Sequence, residues 1–261
     1  MPRVYIHEIV EVDGTRRADY QHHMTANWVP EASGLRRQRC FGVFSVVGST
    51  GPWPRVVNIW EYDSWDDLAH NFSVELSGPT HRDPMLQRWW DEAAALRSGG
   101  LDRVLVAHGD SPGVELWAQR GGAGAVAYLH ELLWTEPGGA PALEARVARD
   151  GVRRMADAGM DLVGLWRTAM RADDEVLALW SIPDWQHWAA FEETAFEETA
   201  FAGTATEETA SGVATAQGSA RGDRVVTARQ CWLLVDAELS PLRIGRQPQL
   251  SDRRPIDRSG A

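Results

Sequence analysis

Cysteine is scarce. Only Cys40 and Cys231 occur in 261 residues, far apart and without metal-like spacing. A disulfide framework is not expected, and neither is a zinc site of the CxxC kind. Long apolar runs are also missing. None approaches the roughly 20 residues needed to cross a bilayer, and the N-terminus carries no secretion signal, so the expectation is a cytoplasmic protein with no membrane partner. Basic charge is outweighed: the formal net charge is -11. Phosphate contacts need a basic face, so no nucleic-acid partner is expected. The motifs of several chemistries are lacking too. No GxGxxG, HxH or HExxH spacing occurs, and there is no serine nucleophile elbow. Gly121-Gly122-Ala123-Gly124 reads as a flexible stretch, but it has neither the spacing nor the following helix expected of a phosphate cradle. Nothing marks a haem ligand. The expectation is no metal and no cofactor.

Tryptophan, by contrast, is abundant: thirteen residues against four tyrosines and six phenylalanines. Indoles are large and want a partner for the N–H when buried, so this excess implies an aromatic core and an aromatic-lined cavity. Hydrophobic residues make up 44% and charged residues 24%, a soluble globular balance.

The segment from Arg55 to Trp65 (RVVNIWEYDSW) returns as Glu175 to Trp185 (EVLALWSIPDW). Each is an apolar run ending in Trp, then a turn, then a second Trp that opens a helix. Around these segments the chain repeats in order. Val4 to Val12 reads as a strand, Arg16 to about Ser33 as a helix with Tyr20, Met24 and Trp28 at helical spacing, Gln38 to Val47 and Arg55 to Tyr62 as strands, and Asp63-Ser64 as the cap of a helix from Trp65. A further helix, Asp83 to Leu96, and a last strand, Arg103 to His108, complete the first unit. Val114 to Ala118 reads as an extra strand or a linker. The second unit follows the same order. Tyr5-Ile6-His7-Glu8 matches Tyr128-Leu129-His130-Glu131, Gly42-Val43-Phe44 matches Gly164-Leu165-Trp166, and Asp102-Arg103-Val104 matches Asp223-Arg224-Val225.

The fold class is therefore α+β: two ferredoxin-like β-α-β-β-α-β repeats packed sheet to sheet as an intramolecular α/β-barrel. The expected boundaries are 1–110 for the first repeat, 111–126 for a linker, 127–238 for the second repeat with a low-complexity Glu-Glu-Thr-Ala insertion at 192–222, and 239–261 for a disordered tail. A monomer with an internal pseudo-dimer, or a homodimer, is the expected assembly.

In this combination the chain resembles the NIPSNAP-type members of the dimeric α/β-barrel superfamily. The residues that carry the resemblance are Glu8 and Glu131 in the first strands, Val57 to Ser64, Leu177 to Trp185, and Pro79-Thr80-His81-Arg82-Asp83. The second half lacks the last of these. The resemblance implies the fold. It also implies a choice among the activities of that superfamily, which include cofactor-free monooxygenases, cyclases, isomerases, degradative lactone enzymes and haem proteins.

The candidate catalytic residues are His7, Glu8, His130, Glu131 and His81. A carboxylate or imidazole in an apolar cavity has its pKa moved by desolvation, which suits proton transfer near neutral pH. Neighbouring strand residues point to opposite faces, so only one of His7 and Glu8 faces a given cavity. For each of these residues a buried polar group satisfied by a neighbouring strand is the competing reading. Candidate substrate-binding residues are Tyr5, Trp28, Phe44, Asn58, Trp60, Tyr128, Trp166 and Trp180, with core packing as the alternative. On strand three the aliphatic face, Val57 and Ile59, suits the helices, and the face with Trp60 suits an inter-sheet cavity. The expected function is a small-molecule biosynthetic enzyme, a tailoring enzyme of secondary metabolism. It binds a hydrophobic or aromatic substrate between the sheets and performs cyclisation, isomerisation or oxygen-dependent oxidation without a cofactor. A non-catalytic binding or carrier protein is the alternative, and an interaction module assembling through strand edges or helices is a third.

Overall fold

The computed structural model describes residues 2–77, 83–109, 111–119, 124–204 and 226–254, with backbone alone for 196–204. The first half comprises β1 (Val4–Val12), α1 (17–35), β2 (Arg39–Val46), β3 (Arg55–Tyr62), α2 (Trp65–Glu75), α3 (Pro84–Ala94) and β4 (Arg97–Ala107). A short helix, α4 (Val114–Gln119), leads into β5 (Ala127–Trp134), α5 (140–157), β6 (Asp161–Ala169), β7 (Glu175–Ile182), α6 (Trp185–Thr204), β8 (Ala228–Asp236) and α7 (Pro241–Ile244). Local chemistry sets the helix starts as read. Ser64 accepts a hydrogen bond from the Asp67 amide to cap α2, and Asp83 accepts one from the Leu86 amide to cap α3, where Pro84 occupies the first turn. Both α1 and α5 pass through a π-helical turn, at His23–Trp28 and Val147–Gly151, a shared irregularity that marks them as copies.

Each half forms a four-stranded antiparallel sheet, and the two sheets face each other across one closed barrel in the order β1-β3-β2-β8-β5-β7-β6-β4. The duplicated α+β architecture is thus the one expected. Two seams close it: Phe44 to Val46 of β2 pair with Leu234 to Asp236 of β8, and Val104 to Ala107 of β4 pair with Trp166 to Ala169 of β6. Closure satisfies the outer strands of both sheets, so among the described residues the sheet has no open edge to recruit a partner strand. No helix among them is long and apolar enough to cross a membrane.

The barrel interior is packed with alternate residues from every strand. Tyr5 and Ile9 of β1, Val57 and Ile59 of β3, Tyr128 and Leu132 of β5, and Leu177 and Leu179 of β7 belong to one buried cluster with Phe44, Leu105, Trp166 and Trp232. Trp60 and Trp180 belong instead to the two clusters beneath the helices. The two faces of strand three are therefore the reverse of those expected, and the inter-sheet space is filled rather than hollow. An eight-stranded barrel is just wide enough for side chains to fill, and strands such as β3 and β7 are buried on both faces, so neither of their faces shows the polar signal that would mark inside from outside.

The repeated Gly-x-aromatic pattern has a steric cause. In each half a register shift precedes the glycine, between Cys40 and Gly42 and between Leu162 and Gly164. The ring two residues on folds back over it. A Cβ at Gly42 would lie 2.3 Å from the Phe44 ring, and one at Gly164 would lie 2.0 Å from the Trp166 ring. Gly164→Ala is expected to cost about 2 kcal/mol or more, read from the urea midpoint, because a fully buried Trp must leave its rotamer.

Several boundaries differ from expectation. β4 begins at Arg97 rather than Arg103, because β1 offers a ladder down to Glu11 and, past a register shift, to Val12 even where Ser98 to Gly100 lack alternation. The segment at 111–126 contains a helix, and Val114 and Trp117 pack into the barrel cluster. Within the tail, residues 239–254 are ordered. The Gln247 side chain pairs with both the N–H and C=O of Cys40, and Arg253 donates to the carbonyls of Ala26 and Asn27 and to Glu31. The last strand of the second half aligns differently as well. Arg103 lies opposite His7 in β1–β4, and Trp232 lies opposite His130 in β5–β8, so Trp232 is the structural counterpart of Arg103. Asp223, Arg224 and Val225 lie outside the described residues, as does the part of the 192–222 insertion beyond α6.

Candidate functional site

Between the outer face of the first sheet and helices α1, α2 and α3 lies a cavity of about 270 Å³. The sheet supplies its floor through residues of one pleat face: Ile6 and Glu8 of β1, Trp60 of β3, and Asp102 and Val104 of β4. Helix α1 contributes Met24 and Trp28 at helical spacing. Helix α3 contributes Leu86, Trp89 and Trp90, and α2 contributes Asn71, Phe72 and Glu75. The walls are mostly indole. The Trp28 and Trp89 rings meet at 4.8 Å, and Trp89 meets Trp90 edge-on at 5.7 Å. Phe72 and Trp90 remain 38% and 40% exposed, which places apolar surface where the cavity meets solvent.

Glu8 is the ionisable group of this floor. Asn58 Nδ2 donates to its Oε2 at 2.8 Å, and the same amide reaches the Tyr20 hydroxyl at 3.1 Å. Burial pushes the Glu8 carboxyl up to about 7, and the Asp102 carboxylate directly opposite on β4 adds to the rise. Hydrogen bonds from Asn58 and Trp60 and the nearby Arg97 charge oppose it without cancelling it. Asp102 is itself raised by burial against the pull of Arg97. Arg97 is held by π contact, its guanidinium 3.4 Å from the centre of the Trp90 ring. The result is a carboxyl that can both give and take a proton at neutral pH, in an aromatic chamber.

The second half keeps the carboxylate and loses its setting. Glu131 accepts from Trp180 Nε1 at 3.1 Å, just as Glu8 is bonded by Trp60. Opposite Glu131, however, stand Ala178 and Cys231 where Glu8 has Asn58 and Asp102. Arg229 Nε adds an ion pair at 2.5 Å. Glu131 is therefore engaged in structural contacts with Trp180 and Arg229. A wider cleft of about 750 Å³ lies between the end of α5 and α6, lined by Asp150, Arg153, Arg154, His187 and Phe191 among others. Its acidic residue Asp150 is exposed and held low by Arg149.

His7 and His130 meet at the barrel centre. Their Nε2 atoms are 2.9 Å apart, one ring donating and the other accepting, and the rings stack at 5.1 Å. Burial drives both pKa values down, His130 to about 3. Both are neutral at pH 7 and sealed away from the cavity. Of the aromatic candidates, Tyr5, Phe44, Tyr128 and Trp166 are barrel core. Tyr5 packs edge-on against Phe41 and Trp166, and its hydroxyl donates to Glu61. Trp180 lies beneath the second-half helices. The structure thus gathers Glu8, Asn58, Trp28 and Trp60 at one place and disperses the rest. His81 lies outside the described residues. Sequence reasoning missed Trp89, Trp90, Arg97 and Asp102 as members of the site. The adjacent Trp pair in α3 is the available signal for two of them; the other two are brought in by strand register. Among the described residues no group of three or more His, Cys, Asp or Glu could hold a metal ion.

No protein-family model matches the chain, and no curated protein matches it. Solved structures do. A candidate monooxygenase of Fusobacterium nucleatum is similar with a TM-score of 0.53 at 9% identity, over 91% of this chain and 93% of that one. A candidate monooxygenase of Lactobacillus acidophilus has the same score and identity over 96% and 97%. A NIPSNAP-like domain protein of Burkholderia xenovorans matches 42% of this chain and 89% of its own at 20% identity, with a TM-score of 0.34. Across nearly their whole lengths the first two share with this chain its fold: a closed barrel made of two ferredoxin-like halves.

Proposed function

We propose that the protein is an enzyme that moves protons on a hydrophobic or aromatic small molecule held in the cavity beneath α1, α2 and α3, with Glu8 as the acid/base group. The observation that supports this reading best is a carboxyl raised to about 7 on the floor of an indole-walled chamber. Asn58 orients the carboxyl, and Tyr20 orients Asn58. The volume, about 270 Å³, is at the lower edge of the roughly 300–1,000 Å³ typical of ligand pockets, so it suits one or two fused rings.

The elementary step is the transfer of a proton from an activated C–H to the Glu8 carboxylate. The C–H electron pair stays on the substrate as an enolate, and an O–H bond forms on Glu8. Return of the proton elsewhere is isomerisation, attack by the enolate on a second carbon is cyclisation, and reaction of the electron-rich enolate with dioxygen opens an oxidation. A tailoring role in secondary metabolism is a setting in which such substrates occur.

The test is solvent-deuterium exchange at the α-carbon of β-tetralone, followed by NMR. Exchange should be catalysed by the wild-type protein, rise with pH and level off above about 7 as Glu8 ionises. Glu8→Gln should slow it by about 10²- to 10⁴-fold. Binding of β-tetralone with no protein-dependent exchange would instead support a non-catalytic binding protein.

A further inference from the structure

The cavity holds donors that nothing among the described residues satisfies. Arg36 is fully buried, 1% exposed, and lines the chamber away from Glu8 in sequence and element. Its Nη1 donates to Asn71 at 3.2 Å and its Nη2 to Asp83 at 3.3 Å, yet its Nε has no partner. Trp89 lines the same chamber, and its Nε1 is buried and also without a partner. Both groups touch one ring. The Arg36 guanidinium lies 5.2 Å from the Trp28 centroid, and the Trp89 ring lies 4.8 Å from it. Buried N–H groups are rarely left unmade, and two of them beside one aromatic wall point to an acceptor that arrives with the ligand.

Resting on the acid/base reading above, we propose that the substrate is an aromatic ketone or phenol whose oxygen accepts hydrogen bonds from Arg36 Nε and Trp89 Nε1 while its acidic hydrogen lies against Glu8. Arg36 then does two things. It selects oxygenated rings over plain hydrocarbons, and it stabilises the negative charge that grows on that oxygen when Glu8 removes the proton. Its ion pairs with Asp83 and Glu75 fix the guanidinium before the ligand enters, so little reorganisation is needed. In α6 of the second half Ala190, Phe191 and Ala195 stand where α2 has His70, Asn71 and Glu75, so the two α2 residues that hold Arg36 are replaced there.

The test compares β-tetralone with tetralin, which has the same ring frame and no oxygen, by isothermal titration calorimetry on the full chain. The wild-type protein should bind the ketone at least about tenfold more tightly, the factor that one hydrogen bond to a charged donor carries. Trp89→Phe removes only an N–H, and Arg36→Lys keeps the charge while removing Nε. Each should weaken the ketone by about tenfold and leave tetralin unchanged. A thermal melt shows whether Arg36→Lys still folds; if it does not, Trp89→Phe alone decides. Equal affinity for the two probes, or a loss shared by both in Trp89→Phe, overturns the proposal and leaves the cavity reading standing. Absence of binding for either probe by the wild-type protein overturns the cavity reading and the proposal with it.

Discussion

Replacing Glu8 with Gln should make the protein more stable at pH 8 while removing the proton-transfer activity proposed for it. The reason is linkage. In the unfolded chain the Glu8 carboxyl loses its proton near its ordinary value of 4.5; in the fold it keeps it to about 7. Between those values the folded state holds the proton that the unfolded state has released, so stability falls as pH rises through this window and stays at the lower level above it. Gln has no proton to lose. The variant should therefore match the wild type near pH 4 and exceed it progressively up to pH 7. Full conversion of the shift gives about 3 kcal/mol. Glu8 keeps part of its surface open to the cavity, where water softens the penalty, so about 2 kcal/mol is expected at pH 8. Urea denaturation at pH 4, 6 and 8 checks it. A variant less stable than wild type at pH 8 would show that the buried charge is well solvated and that the chamber is not the dry, proton-holding site required.

The same residue shows what the sequence could and could not reveal. The duplication was legible because a tandem repeat preserves local features: a Trp before a turn, a Ser or Asp cap, a glycine two residues ahead of a ring. Each depends on neighbours within a few residues. The ordering of β-α-β-β-α-β, and hence the barrel, followed from those features. The placement of Glu8 did not, because inside and outside of a closed barrel are both apolar. In the sequence Trp60 reads as an inter-sheet residue because it lies on the less aliphatic face of its strand, although an eight-stranded barrel has room there only for Val57 and Ile59 on that strand. In the sequence Asp102 stands out only as part of a matching tripeptide. Its role comes from lying across the ladder from Glu8, a relation set by a register that no local pattern encodes. Arg36 sits at the end of α1 like an ordinary exposed C-terminal cation, and it is buried only because α2 and α3 fold over it. The tail failed for a similar reason: its polar composition looks unstructured until Gln247 is seen to pair with the Cys40 backbone.

The histidine pair at the barrel centre should set the acid limit of the fold. Facing it are Arg103 from β4, Thr168 from β6, Glu175 from β7 and Trp232 from β8. Arg103 and Glu175 pair at 2.7 Å, Thr168 donates to the same carboxylate at 2.6 Å, and the Trp232 ring stacks on His130 at 5.6 Å. Glu175 is thereby engaged by others, and the Arg103 charge disfavours a proton on either imidazole. Both histidines have folded pKa values below the ordinary 6.5, so their neutral forms contribute stability that is present above pH 6.5. That stability is lost as pH falls, because the unfolded chain takes up protons that the fold refuses. For His130, depressed to about 3, the contribution at stake is on the order of 4 kcal/mol by the time pH reaches 3. His7→Leu or His130→Leu alone leaves one buried imidazole without its partner and should cost about 1–3 kcal/mol at pH 7. The double variant replaces both polar groups with apolar ones of similar size. It should be less destabilised than the sum of the singles by about 1–2 kcal/mol, and its stability should decline far less between pH 6.5 and 4. Guanidinium melts of the four proteins across that range read both quantities. Strict additivity at pH 7, or an unchanged acid slope in the double variant, would mean that the two rings do not share a proton and that acid unfolding begins elsewhere in the barrel.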